Sequence, residues 1–301
     1  MVSALKLDQF GEAQRGHLAM LAFSMLVAGS FALGSIVAND ITPAALNAAR
    51  FALAGAAIGV AALITGGIPR SALRAPWRYG VLGGLFAVYF VLMFEGLKTA
   101  PPVSAAAVFT LTPILAGIAG YILLRQILTG WMALALAIGA AGALWVIFRG
   151  DLKPLFAFNI GRGELIYFVG CVSHAIYTPM VRLLNRGETP VVFTFGMLVA
   201  GFFVLLIWSW HDILATNWSE LAPIVWVTLF YLAFFASAMT FVLLQYATLR
   251  LPAAKVMAYT YLTPSWVILW QLALGNPVPP LLTLGGVLLT VVALAMLLRG
   301  D

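Results

Sequence analysis

Four ionisable side chains stand inside long apolar stretches of this sequence, and they are the first candidates for chemistry. They are Arg50, Glu95, His174 and Lys255. A charge at the centre of a bilayer costs about 2.5–3.5 kcal/mol on insertion scales, so an ionisable residue in a membrane span is rarely without a role. Each of the four therefore carries a functional hypothesis.

The four residues differ in the role that their positions favour. Arg50 and Glu95 are predicted to form a structural ion pair, a charge tie between helices, near the outward-facing side of the membrane. Lys255 is expected either to extend to the inner headgroups or to bind a substrate carboxylate. His174 is expected to be a packing residue, or the proton site if transport is coupled to protons.

Helical spacing adds polar and aromatic residues to this set. Residues three or four apart share a helix face, so Tyr259 and Trp266 accompany Lys255, and Tyr177 stands beside His174. Further candidates on the same or neighbouring faces are Tyr167, Ser237 and Phe241. The predicted lining of a substrate cavity is Tyr89, His174, Tyr177, Gln245, Lys255, Tyr259 and Trp266. Hydroxyls, an amide and aromatic walls suit a small zwitterion with an apolar side chain.

Patterns for catalysis or metal binding are missing from the sequence. It contains neither a His-Glu-x-x-His motif nor a glycine-rich phosphate loop. The three histidines, His17, His174 and His211, are far apart, and Cys171 is the single cysteine. The sequence therefore predicts no enzyme, no catalytic residue, no cofactor, no metal site and no disulfide.

The amino-acid composition indicates whether the chain lies in water or in a membrane. It is 63% hydrophobic and 9% charged, with a mean hydropathy of +1.04, whereas soluble domains have about 25% charged residues. The sequence therefore predicts an all-α integral membrane protein. Its net charge of +6 is explained by Lys and Arg in cytoplasmic loops and not by nucleic-acid binding. The partners expected are the lipid bilayer and a small-molecule substrate.

Ten apolar runs are long enough to span a bilayer, which takes about 20 residues. They cover residues 17–38, 42–64, 78–98, 101–124, 129–148, 163–186, 190–210, 220–248, 252–274 and 280–298. With the N-terminus inside, the predicted outer ends hold few basic residues: Lys98, Arg149, Lys153 and Arg162. The other loop lysines and arginines lie at inner ends, which places both termini in the cytoplasm.

An internal repeat divides the chain into two halves, 1–150 and 151–301. Residues 90–113 and 241–264 share Phe-Val-Leu at their start and Leu-Thr-Pro at their end, which indicates gene duplication. Upstream, Gly16 and Gly163 open apolar runs that end near Thr-Pro pairs, Thr42-Pro43 and Thr189-Pro190. Five spans per half make the second half enter the membrane inverted relative to the first. Pro113 and Pro264 are predicted hinges or helix breaks.

Ten helices, two five-helix halves and the repeated Leu-Thr-Pro resemble the drug/metabolite transporter superfamily, EamA type. Matching elements are Arg50 within TPAALNAARFALAG, Pro113, and Gly163 at the start of the second half. Within the superfamily the chain is most similar to YddG-like aromatic amino-acid exporters. The resemblance implies an exporter of amino acids or related metabolites in the bacterial inner membrane, and we expect it to be a monomer. It would work by alternating access through a cavity between the repeats, facilitated or weakly proton-linked.

Two alternatives remain open at this point. One is a multidrug or hydrophobic-cation exporter of the same superfamily, for which Glu95 would be the membrane-embedded carboxylate. The other is a membrane subunit that transports nothing.

Overall fold

The computed structural model describes residues 2–148, 151, 160–277 and 279–299, and all regular elements in these ranges are helical. We number ten consecutive spans in chain order. They are α1 Val2–Val37, α2 Pro43–Ile64, α3 Trp77–Leu97, α4 Pro102–Leu124, α5 Gly130–Ile147, α6 Arg162–Leu184, α7 Pro190–Ala215, α8 Pro223–Thr248, α9 253–273 and α10 Leu281–Arg299. Short 3-10 turns lie at Arg70–Leu73 and Trp218–Glu220.

The prediction of an all-α membrane protein is confirmed. Within the described ranges, nine spans are helices long and apolar enough to cross a membrane. The remaining predicted span, α9, consists of three shorter pieces, Ala253–Ala258, Tyr259–Leu262 and Thr263–Ala273. Arg149, Lys153 and most of the segment joining the halves lie outside the described residues.

The two Thr-Pro pairs start corresponding helices in the two halves. Thr42 and Thr189 are the N-caps of α2 and α7, and their side-chain hydroxyls accept hydrogen bonds from Ala45 N and Val192 N, both at 3.4 Å. A proline follows each cap at the first helical position, where its missing N–H costs nothing. The local chemistry of the repeat thus sets where both helices begin.

The two Leu-Thr-Pro sequences lie at helix breaks. The α4 span is interrupted between Pro102–Phe109 and Thr112–Leu124, and α9 is interrupted by the 3-10 turn Tyr259–Leu262. Pro113 and Pro264 each lie in the first turn of the following segment, because proline disrupts the regular helical turn before it. The breaks meet, with the hydroxyls of Thr112 and Thr260 3.3 Å apart.

The helix contacts follow the same pattern in both halves of the chain. The corresponding spans pack on each other, α2 on α7, α4 on α9 and α5 on α10. The contact of α3 with α6 has its counterpart in the contact of α1 with α8. This is the pattern expected of a duplicated five-helix unit; the inverted insertion of the second half stays a prediction.

Glycines allow the closest helix crossings. A Cβ atom on Gly142 would lie 2.7 Å from Gly286 O, and one on Gly96 would lie 2.7 Å from Gly163 O. In lipid, helices associate through close backbone packing because the apolar solvent provides no hydrophobic drive between them. These glycines therefore bring α5 to α10 and α3 to α6.

A buried ion pair connects the start of α3 to the loop between α6 and α7. Arg78 Nη2 lies 2.6 Å from Glu188 Oε1, and the two side chains are 1% and 5% exposed. Arg78 Nη1 also donates to Leu184 O at 2.6 Å. Burial opposes ionisation of Glu188, but the Arg78 guanidinium and the backbone N–H of Arg186 hold the pKa of Glu188 below its ordinary value.

We expect this ion pair to make folding sensitive to acid. A carboxyl whose pKa is depressed by folding stabilises the protein above its ordinary pKa of 4.5, and this stability is lost as the pH falls through the folded pKa. The melting temperature in detergent should fall in that acid range. Glu188→Gln should lower it at neutral pH, since breaking a buried pair costs about 3–5 kcal/mol, and should flatten the acid profile. The same change at exposed Glu220 is the control; an unaltered acid profile in Glu188→Gln would contradict the assignment.

Candidate functional site

The structure divides the predicted cavity residues into two groups. Four of them lie together in the interior, where α3, α6 and α8 meet: Tyr89, His174, Tyr177 and Gln245. Each of these four side chains is at most 2% exposed. Their neighbours are mainly aromatic. Phe86 stacks on Tyr177 with ring centroids 3.8 Å apart, and the His174 ring lies 4.5 Å from that of Tyr89.

We call this group and the rings around it the aromatic cluster. Its members are Phe86, Tyr89, Phe90, Phe109, Tyr167, His174, Tyr177 and Phe241, with Gln245 at its side. The rings come from α3, α4, α6 and α8, so both halves of the chain contribute. An interior site of this composition can enclose an apolar side chain.

Polar atoms in the cluster form short hydrogen-bond chains. Gln245 Nε2 donates to Tyr177 Oη at 3.3 Å, and Tyr177 Oη donates to Met197 Sδ at 3.2 Å. The hydroxyls of Tyr89 and Tyr167 are 3.0 Å apart. Within the described part of the chain, Gln245 Oε1 and His174 Nδ1 are buried without a hydrogen-bond partner. Such orphaned groups are costly in a closed interior, so they are natural contacts for a bound polar molecule.

Arg50 brings a positive charge to the same place. It is fully buried, and its guanidinium carbon lies 3.8 Å from the centroid of the Phe90 ring. Its Nε donates to Ser237 Oγ at 2.5 Å, and its Nη2 donates to Ala236 O at 2.6 Å. Its third nitrogen, Nη1, is buried without a hydrogen-bond partner among the described residues.

The partners of Arg50 lie in an irregular turn of α8. Residues Phe234–Met239 form a π-helical segment, in which carbonyls bond five residues ahead and the turn is widened. In this widened turn, Ala236 O can accept a hydrogen bond from the Arg50 guanidinium as well as one from a backbone N–H of the helix. Segments of this kind occur frequently at functional sites, and this one fixes the orientation of the buried charge.

The predicted tie between Arg50 and Glu95 is wrong. The Glu95 carboxylate lies 2.7 Å from Lys98 Nζ, one turn further along, and its side chain is 42% exposed. Arg50 instead faces α8. The sequence places both residues in apolar runs, but only packing sets the rotation that turns Arg50 away from the end of α3.

The second group of predicted residues lies on α9, and two of its members contact α1. Tyr259 Oη is 3.1 Å from His17 Nδ1, and Trp266 Nε1 donates to Ser24 Oγ at 3.2 Å. Lys255 is 5% exposed and lies in the segment Ala253–Ala258, one turn before Tyr259. Tyr259 and Trp266 are therefore placed along the contact of α1 with α9, whereas the segment that carries Lys255 packs mainly on Thr112–Leu124 of α4.

Some residues of the site were missed by reasoning from the sequence. Phe86 and Phe90 stand three residues before and one residue after Tyr89, a helical spacing that could have found Phe86. Met197 and Phe109 carry no signal beyond hydrophobicity. Glu164, in the first turn of α6, is 8% exposed and accepts a hydrogen bond from Ser104 Oγ at 2.8 Å. Glu164 was not identified from the sequence as buried, because it lies at the very start of a span.

Comparison with known proteins agrees with this architecture. The model of the EamA-like transporter family matches residues 14–148 and 161–299. The chain is 29% identical over 275 residues to the uncharacterized transporter YyaM of Bacillus subtilis (strain 168), covering 90% of each chain. It is 30% identical over 191 residues to the aromatic amino acid exporter YddG of Ancylobacter novellus, covering 62% of this chain and 65% of that protein.

A solved crystal structure supports the fold. It superposes with a TM-score of 0.71 at 24% sequence identity and covers 95% of both chains. The family matches together cover most of the sequence. The protein therefore belongs to the EamA-like transporter family, as its helix layout and internal repeat predict.

Proposed function

We propose that this transporter exports amino acids or related small metabolites across the bacterial inner membrane, with both termini in the cytoplasm. The substrate would bind in the aromatic cluster, and the two halves would rock around it in alternating access. The observation that carries the proposal is the unpartnered Nη1 of the fully buried Arg50. The name of the YddG relative, an aromatic amino acid exporter, points to the same class of substrate.

The geometry of Arg50 suits a carboxylate. Two of its nitrogens are held by Ser237 and Ala236, so the third has a fixed direction. Guanidinium groups bind carboxylates through short charge-assisted hydrogen bonds. A bound carboxylate would also supply a countercharge to the Arg50 guanidinium, which forms no ion pair with the residues that the structure describes.

The ammonium group and the side chain of an amino acid would also have suitable contacts. Gln245 Oε1 has no hydrogen-bond partner among the described residues and could accept from an ammonium group. The rings of Phe86, Tyr177 and Phe241 would enclose the apolar side chain. Tyr259 and Trp266 would then line the path between α1 and α9, and Lys255 would lie one turn before Tyr259 on the side of α4. Pro113 and Pro264 would lie at the helix breaks that move.

The environment of His174 favours facilitated export over proton coupling. Its ring is surrounded by Phe86, Tyr89 and Phe109 at centroid distances of 5.3, 4.5 and 5.4 Å. Among the described residues His174 Nδ1 has no hydrogen-bond partner, so no group in contact with that nitrogen can receive its proton. In this proposal His174 is a binding and packing residue, and the substrate gradient drives transport.

The test is flux through the purified protein in proteoliposomes. We expect labelled amino acids to leave loaded vesicles down their gradient, faster than from protein-free vesicles, and at similar rates with and without a pH gradient. Competition by aromatic amino acids should reduce the flux. Flux that requires the pH gradient would contradict facilitated export, and the absence of flux for all amino acids would contradict the substrate class.

The structure does not support the carboxylate expected for the cation-exporter alternative. Glu95 is paired with Lys98 and partly exposed at the end of α3, so it does not offer an embedded carboxylate to a hydrophobic cation. A lipophilic cation in the same vesicle assay should therefore show no saturable flux.

A further inference from the structure

A polar cleft opens where α2 ends and α7 begins, away from the aromatic cluster. Its volume is about 450 Å³. Its walls are the turn after α2 at Thr65–Gly67, the 3-10 turn that contains Ser71, and the loop between α6 and α7. The exposed Arg74 and Arg186 both line it.

The charge of this cleft favours an anion. Its acidic residue, Glu188, is already engaged by the buried Arg78. Arg74 and Arg186 therefore leave the cleft positive. Both belong to the ends predicted to be cytoplasmic, where the leaflet carries a negative surface potential.

An apolar groove continues from the cleft along α7. It has a volume of about 290 Å³ and is lined by Leu73, Tyr79, Phe195, Ala200 and Phe203. Val192 borders both the cleft and this groove. The cleft and the groove are therefore adjacent, so a molecule with a polar end in the cleft can place an apolar tail in the groove.

A second apolar groove lies on the other side of Phe195. It has a volume of about 450 Å³ and runs between α2 and α7, past Gly55, Gly59, Leu63 and Phe202. Phe195 and Val199 line both grooves. The cleft thus borders the first groove at Val192, and the first groove borders the second at Phe195 and Val199. This arrangement suits a headgroup with two chains.

The length of the first groove matches one membrane leaflet. Eleven residues separate Val192 from Phe203, and a rise of 1.5 Å per residue makes this about 16 Å. The hydrocarbon core of a bilayer is about 30 Å thick, so one leaflet accounts for about half of it. An acyl chain anchored at the cleft would fill the groove to its end.

We propose that the cleft and its two grooves bind one anionic phospholipid of the inner leaflet. Arg74 and Arg186 hold the phosphate, and the two acyl chains lie on either side of Phe195. The lipid is a structural ligand that joins α2, α3 and α7, distinct from the transported substrate. It binds whether or not the protein transports amino acids.

The experiment is lipid binding by the full chain after delipidation in detergent. Phosphatidylglycerol and phosphatidylcholine with identical acyl chains are titrated in parallel, with native mass spectrometry counting bound lipids and thermal unfolding reporting stability. We expect one phosphatidylglycerol to be retained, with a rise in melting temperature that phosphatidylcholine does not reproduce. The variant Arg74→Gln/Arg186→Gln should weaken phosphatidylglycerol binding about tenfold or more, because each basic residue near an anionic lipid contributes separately.

Two further variants separate charge from shape. Arg125→Gln removes an exposed arginine outside the cleft and should bind phosphatidylglycerol as the unaltered protein does. Ala200→Phe fills the first groove and should weaken the binding of phosphatidylglycerol even though both arginines remain. The proposal is overturned if phosphatidylcholine binds equally well, if the double arginine variant binds normally, or if inorganic phosphate alone raises the melting temperature as much as the lipid.

Discussion

Replacing Arg50 by glutamine should reduce amino-acid efflux by a factor of about 30 to several thousand. The range follows from about 2–5 kcal/mol for truncating one partner of a buried, hydrogen-bonded charge pair, here the guanidinium and the substrate carboxylate. The amide of the substituted side chain could still donate to Ala236 O, and the change removes a charge whose burial is costly. We therefore expect the variant to fold and insert, with a melting temperature close to that of the unaltered protein.

The substrate preference of the variant is the sharper measurement. The unaltered protein should transport an amino acid much faster than the amine that lacks its carboxylate, and Arg50→Gln should erase that difference. Arg50→Lys keeps the charge but loses the planar fork, so it should restore little of the flux. Ser237→Ala removes only the partner of Nε and is the matched control, with a smaller loss. Equal loss of amino acid and amine transport would show that Arg50 only supports the fold.

Adding one methyl group at Gly83 should be among the most destabilising small changes in the protein. A Cβ atom there would lie 2.5 Å from Gly201 N, 2.7 Å from Met197 O and 2.8 Å from Gly201 Cα. All three are backbone atoms of α7, so no side chain can move aside. Gly83→Ala must push α3 away from α7, and overpacking of this kind typically costs about 1–3 kcal/mol and occasionally more.

The neighbouring glycine supplies a control in the same helix. A Cβ atom on Gly84 would meet no atom within 4 Å. Gly84→Ala should therefore keep or raise stability, because alanine is the better helix former by about 1 kcal/mol. Thermal unfolding in detergent compares the two variants directly. Equal melting temperatures for Gly83→Ala and Gly84→Ala would mean that α3 and α7 are not in backbone contact at this depth.

The course of the chain through the membrane was largely predictable from local chemistry. Apolar runs mark the spans because a bilayer core requires them, and Thr-Pro and Leu-Thr-Pro mark helix starts and breaks through capping and the missing proline N–H. These signals are properties of short segments. The starts of α2 and α7 and the interruptions of α4 and α9 follow from them.

The rotation of each helix about its axis was not predictable in the same way. Arg50 turns to Ser237, and α9 directs Tyr259 and Trp266 to α1, because of contacts made by the whole bundle. The π-helical segment Phe234–Met239 contains neither glycine nor proline, so composition gives no sign of it. The site depends on these features, which explains why only part of the predicted set came together.

The two halves of the chain contribute side chains of unequal character to the candidate site. Arg50 and Met197 are equivalent by position, since each is the seventh residue after the proline that starts its helix, α2 or α7. One copy holds a guanidinium fixed by Ser237, and the other holds a thioether that accepts the Tyr177 hydroxyl. A pseudo-symmetric fold therefore encloses a polarised interior. For the substrate class proposed above, a molecule with one anionic end and one apolar end would have a single preferred orientation there, whereas a dicarboxylate would have to bury its second charge away from Arg50.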